Sequence, residues 1–278
     1  EWIKSITAQA YDDPQWDSTG ASKKLDEIAK VLIPGKTIIG KTSEWRLPKW
    51  GFDHGWGDYS FTDDVKAFFK HSSELGFHQA VHFNCAGIDL IHRNLIEKFK
   101  PGLRVIGINT DGSIKYHGYN GEWSNAYGPV TFVWCSHAYL PFNNYMLDQI
   151  GKVVEAGADI IYLDEGHTGT GKFMVDGKTS IQGLMDFMKQ IRERYPNVAV
   201  MTEQFNPAAS KYASFALTSQ DLGHPLSGYI FRKYIKVINW WGQFELTDPK
   251  ALESYWAWQG ERIPGWGGND KWKEIAQT

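Results

Sequence analysis

The sequence predicts an α/β fold, a (β/α)8 TIM-type barrel with a β-hairpin insertion after its third strand. Two observations lead there. Short apolar runs of β type alternate with amphipathic helical stretches along most of the chain, the pattern of βαβ units feeding a parallel sheet. Its 278 residues suit one barrel, and no Pro/Ser-rich linker, low-complexity tract or internal repeat divides them. Residues 1–278 therefore read as a single barrel domain.

Taken in order, residues 23–32 read as helix, 37–42 as strand, 63–75 as helix and 78–83 as strand. Residues 101–135 break the alternation. A turn at Asp111-Gly112 separates apolar runs at 104–108 and 114–117, and a further run covers 130–134, which together predict a hairpin excursion. Leu147, Ile150, Val153 and Val154 then form a helical stripe that Gly157 stops, and 158–163 reads as a buried strand. A second stripe, Ile181, Leu184, Phe187, Met188 and Ile191, ends before Pro196 and leads to a strand at 198–202. Beyond Asn206 the signal weakens: 215–217 and 236–239 are candidate strands and 250–258 a candidate helix. About seven of the eight strands that closure needs can be read this way.

Composition narrows the function. With 29 basic and 32 acidic residues the net charge is -3, so nothing resembles the basic stripe that binds nucleic acid. No apolar run approaches the length of a membrane helix. The chain opens at Glu1 with no Met and no leader-like apolar segment, which fits a processed protein and favours a secreted or periplasmic setting. Cys85 and Cys135 lack metal-ligand spacing, and the sequence leaves open whether they pair. The nine histidines contain neither H-x-H nor H-E-x-x-H, so neither a metal nor a cofactor is expected.

Aromatic residues reach 15%, with 13 Trp, 13 Tyr and 15 Phe, and many tryptophans lie beside Gly or polar residues. Flat C–H faces of sugar rings stack on such side chains, and packing in core and lids uses them equally well, so both readings stand.

Chemistry concentrates at two strand ends. The run 160–164 closes on Asp164 and 198–203 closes on Glu203. Carboxylates at the C-terminal ends of parallel strands face the ligand crevice, and strands joined by one helix are neighbours about 4.8 Å apart. Two carboxyl groups so placed suit a retaining glycosidase, which needs them roughly 5–5.5 Å apart, one as nucleophile and one as acid/base. Glu165 competes with Asp164, because only one of two consecutive strand residues can face inward. Candidate sugar contacts are His82, Asn84, Trp134, His137, Tyr162, His167, Asn206, His224 and Trp240, with Asp53 and His54 in the Gly- and Trp-rich loop before residue 60. The expected partner is an oligosaccharide or polysaccharide substrate.

Gly35 to Thr42 also fits the phosphate-loop pattern G-x-x-x-x-G-K-[ST], which makes a nucleotide-binding protein one alternative. That loop works only where a helix begins at its Lys-Thr, and Pro48 soon after Thr42 argues against one. A barrel that binds carbohydrate without turning it over is the other alternative.

The stretch Ala156-Gly157-Ala158-Asp159 into Ile160-Ile161-Tyr162-Leu163-Asp164, followed by Arg194-Tyr195-Pro196 and Val200-Met201-Thr202-Glu203, resembles the fourth and fifth barrel strands of retaining α-amylase-like and endo-α-N-acetylgalactosaminidase-like glycoside hydrolases. The resemblance spans residues 130–206. It implies Asp164 as nucleophile and Glu203 as acid/base on an α-linked bond. It departs from α-amylases in having Tyr162 where they carry Arg, and in lacking a following Asn-His-Asp. Trp134 followed by a helix and Tyr-Leu-Asp is also similar to α-galactosidase-like barrels, and that likeness makes Asp221 the alternative acid.

Overall fold

A computed structural model describes residues 2–10, 18–42, 45–46, 55–104, 117–119, 130–164, 174–203, 207–218, 230–231, 233–239 and 262–263. Its centre is an all-parallel sheet of eight strands in chain order: β1 (Ala8–Ala10), β2 (Thr37–Thr42), β3 (His78–Asn84), β4 (Ile160–Asp164), β5 (Ala199–Thr202), β6 (Phe215–Thr218), β7 (Lys236–Asn239) and β8 (Arg262–Ile263). Each strand pairs with the next, so the sheet curls into a nearly closed TIM-type barrel.

Side-chain alternation divides the strands into two layers. Ile38, Ala80, Ile160, Tyr162, Ala199, Met201, Phe215 and Ile238 form the inward cluster. Ile39, Val81, Phe83, Ile161, Leu163, Val200, Ala216 and Val237 face the helices. These are α1 (Ser18–Ala29), α2 (Asp63–Glu74), α3 (Arg93–Phe99), α4 (Leu140–Glu155) and α5 (Ser180–Arg194). Thr62 caps α2 through Val65 N–H, with Asp63 and Asp64 in its first turn, and Thr179 with Gln182 makes a reciprocal capping box on α5. Gly157, at φ +115°, ends α4 where a Cβ would stand 3.0 Å from the Phe69 carbonyl oxygen, so only glycine suits that turn.

Below the barrel a 3-10 turn, Trp2–Ser5, closes the floor. Trp2 stacks on His78 at 3.9 Å, Ile6 joins the inward cluster, and Lys236 Nζ donates to the carbonyls of Lys4 (2.8 Å) and Ile6 (3.0 Å).

The excursion between β3 and α4 is larger than the hairpin the sequence predicts. Gly87–Asp89, Leu103–Arg104 and His117–Tyr119 all pair antiparallel with Val130–Cys135, giving a four-stranded sheet. Gly87–Asp89 is too short for its apolar pattern to register, and α1 begins at Ser18 rather than at residue 23 because Ser, Thr and Gly carry no apolar stripe. The predicted helix at 250–258 lies outside the described residues.

Candidate active site

The mouth of the barrel, at the C-terminal strand ends, gathers polar side chains above an apolar interior. In β3, His82 and Asn84 take the inward phase and pair in register with Tyr162 and Asp164 of β4. On the other side the β4–β5 register matches Thr202 to Leu163, so Glu203, whose N–H donates to the Leu163 carbonyl at 3.2 Å, falls opposite Asp164. Asn84, Asp164 and Glu203 thus form a row across three adjacent strands, spaced about 4.8 Å apart along the sheet.

Asp164 is held from beneath. Tyr162 Oη donates to its Oδ1 at 3.1 Å, and His82 Nε2 lies 3.1 Å from its Oδ2. Tyr162 lies two residues back along β4 and His82 is its register partner on β3, which is where alternation puts same-face neighbours. The Asp164 side chain keeps 15% of its surface exposed, whereas His82 is 2% exposed and Tyr162 fully buried. The carboxylate therefore meets the mouth and its two partners do not. Because Asp164 bonds to Tyr162, it belongs to the inward phase.

A second tier supports the first. Trp45 Nε1 donates to the His82 carbonyl at 2.6 Å and Tyr59 Oη to the Asn84 carbonyl at 2.7 Å, fixing the upper end of β3. Burial pushes the Tyr59 phenol far up; the buried Arg46 opposes this and Asp164 adds to it, so all three groups share one field. Asn84 Oδ1 accepts from Ala86 N–H (3.3 Å) and Gly87 N–H (2.7 Å), turning the chain out of the barrel into the excursion.

Two other candidates are buried against aromatic rings. Trp134 is 6% exposed and shares an aromatic cluster with Phe132 and Trp56. His137 stacks on Phe187 of α5 at 3.9 Å, with its Nε2 donating to the Cys85 carbonyl at 2.5 Å. Burial lowers its pKa to about 4, with the Cys85 bond opposing. Cys85 and Cys135 are both buried and are not joined by a disulfide. Asp53, His54, Glu165, His167, Asn206, Asp221, His224 and Trp240 lie outside the described residues.

The phosphate-loop match resolves as a strand. Gly40, Lys41 and Thr42 belong to β2, so no helix starts at the Lys-Thr, and Gly40 (φ +66°) sits where the β2–β3 register shifts. No group of three or more His, Cys, Asp or Glu side chains among the described residues could hold a metal ion. No described helix is long and apolar enough to cross a membrane.

With this geometry in view, the barrel can be set beside solved structures of the same fold. An α-N-acetylgalactosaminidase from Bifidobacterium bifidum superposes with a TM-score of 0.70 at 12% identity over 99% of this chain and 51% of its own. For an α-galactosidase from Thermus thermophilus in complex with stachyose the values are 0.59, 13%, 98% and 64%. An α-amylase from Lactobacillus plantarum gives 0.56, 11%, 85% and 62%. At such identities the likeness is one of fold, and the chain spans 51% to 64% of the length of these three proteins. No family model matches the sequence. A curated protein described as "Putative N-acetylmannosamine-6-phosphate 2-epimerase", from Caldanaerobacter subterraneus subsp. tengcongensis, is 34% identical over 65 residues, 23% of this chain and 24% of that one.

Proposed function

We propose that this chain is a glycoside hydrolase that cleaves an α-linked sugar by the retaining route, with Asp164 as nucleophile and Glu203 as acid/base. The observation that carries the reading is the row at the barrel mouth: an inward carboxylate gripped from below, with a second carboxylate opposite it on the adjacent strand. Neighbouring strand ends suit the short separation of a retaining pair better than the wider gap that admits water in inverting enzymes. The inward phase of Asp164 supports it over Glu165. The α-glycosidase fold of the neighbours supports the substrate class, and Asn84, level with Asp164 and buried in the same row, is the described side chain best placed to orient the sugar.

In this scheme Asp164 attacks the anomeric carbon as Glu203 protonates the departing oxygen. Glu203 then takes a proton from water, the water oxygen bonds to the anomeric carbon, and the Asp164 bond breaks with its electron pair returning to the carboxylate. The test is NMR of the first-formed product from an aryl α-glycoside, together with variants. The expected product has the retained anomer, and Asp164→Asn and Glu203→Gln each lower kcat by several orders of magnitude with folding intact. The Glu203→Gln loss shrinks on activated leaving groups, which need little protonation. An inverted product, or near-normal turnover in Asp164→Asn, overturns the assignment.

A further inference from the structure

Resting on that reading, we infer that His82 and Tyr162 are positioning residues whose work is done on Asp164 rather than on the sugar, and chiefly in the second half of the reaction. Three observations carry this. Each oxygen of the carboxylate is met from beneath at 3.1 Å: Tyr162 Oη donates a hydrogen bond to Oδ1, and His82 Nε2 lies against Oδ2 outside hydrogen-bond geometry. Both side chains lie on the layer beneath Asp164, paired in register with one another, and are sealed from the mouth at 2% exposure or less. Trp45 anchors the His82 backbone and the rings of His82 and Tyr162 lie 5.4 Å apart, so neither side chain can swing upward without disturbing a packed strand end.

The chemistry follows from what the Tyr162 hydroxyl sees. A carboxylate only accepts hydrogen bonds, so the hydroxyl directs its proton at Oδ1. Hydrogen bonds to an ionised acceptor are about twice as strong as neutral ones. Asp164 is ionised before attack, becomes a neutral ester once an oxygen bonds the anomeric carbon, and is ionised again when water displaces it. The Tyr162 hydroxyl therefore binds the departing carboxylate better than the ester and speeds its departure. Tyr162 and His82, one against each oxygen, also fix the rotation of the carboxylate plane, leaving the lone pairs on the mouth side for attack.

The test uses 2,4-dinitrophenyl α-galactoside, α-N-acetylgalactosaminide and α-glucoside in turn, taking whichever the wild-type protein cleaves fastest. With so good a leaving group, loss of the glycosyl group from Asp164 limits turnover. Tyr162→Phe removes one hydroxyl without changing the ring, and kcat is expected to fall by about tenfold or more, the worth of one hydrogen bond to a charged group. KM falls with it, kcat/KM changes far less, and an Asp164-linked glycosyl adduct accumulates in the acid-quenched protein by mass spectrometry. His82→Gln, which keeps a polar side chain against Oδ2, loses less than His82→Ala, and imidazole partly restores His82→Ala. A merely structural role would lower the folded fraction without lowering KM or loading the adduct. Unchanged kcat and KM in Tyr162→Phe, or a lower kcat with no adduct, overturns the inference while Asp164→Asn stays inactive. Full activity in Asp164→Asn, or no turnover of any of the three substrates by wild type, overturns the glycosidase reading itself.

Discussion

Acid should destabilise this protein through His137, and the amount can be worked from its surroundings. The ring is 4% exposed, stacked face to face on Phe187 at 3.9 Å, with its Nε2 committed to the Cys85 carbonyl. A charged imidazolium in that slot would lose its hydration, and burial lowers the pKa from 6.5 to about 4. Above pH 6.5 the group is neutral both folded and unfolded, and adds nothing to the pH dependence. Between pH 6.5 and 4 the unfolded chain takes up a proton that the folded one refuses, so stability falls with pH and levels off below about 4. At about 1.4 kcal/mol per pH unit the full loss is on the order of 3 kcal/mol. The assay is urea unfolding of wild type and His137→Gln at half-unit steps from pH 7.5 to 4, comparing slopes rather than absolute values, since the substitution also disturbs the stack. The wild-type curve should fall more steeply across that window by the amount given. Parallel curves would show that His137 titrates normally and that the argument from burial is wrong.

Two further predictions concern stability. Gly183→Ala, which on an exposed helix would add about 1 kcal/mol, places a Cβ 2.2 Å from the Ala138 backbone nitrogen and 2.7 Å from the His137 carbonyl carbon. Helix α5 must then move off that backbone at a cost of about 2–3 kcal/mol. In a melting experiment this is a drop of about 4–6 °C, whereas Gly35→Ala, where nothing lies within 4 Å, should leave the melting temperature unchanged. Thr179→Ala removes the hydroxyl that accepts from Gln182 N–H in the capping box of α5, and should cost about 1 kcal/mol in chemical denaturation, with Thr179→Ser restoring most of it.

How much of this was legible in the sequence depended on whether a residue's neighbours were local. The runs ending in Asp164 and Glu203 were readable because four or five apolar residues in a row between helical stripes admit little else, and their register followed from adjacency. β1 and β8 were not, because Ala8–Ala10 and Arg262–Ile263 are too short to show a period. Strand phase separates Asp164 from Glu165 only once Tyr162 is seen beneath the carboxylate, although same-face spacing already made them neighbours. His82 was nominated for the sugar on its place at a strand end. Its contact with Asp164 joins residues far apart in sequence, and no local pattern encodes that. For Trp134 and His137 the sequence showed residue type alone, and the rings against which they pack, Phe132 and Phe187, were seen only in the structure.

The excursion also bears on the order in which the molecule assembles. The strands β3 and β4 that carry His82 and Asp164 are separated by residues 85–159, which include the whole antiparallel sheet, α3 and α4. Closing so long a loop costs chain entropy before any contact across β3 and β4 returns a gain, and that cost is smallest once the intervening segment has collapsed on itself. The αβαβ unit of α4, β4, α5 and β5 needs only short closures and can organise first. Secondary structure in a refolding experiment should consequently recover ahead of the His82–Asp164 contact, making the grip on that carboxylate a late step and a sensitive reporter of complete folding.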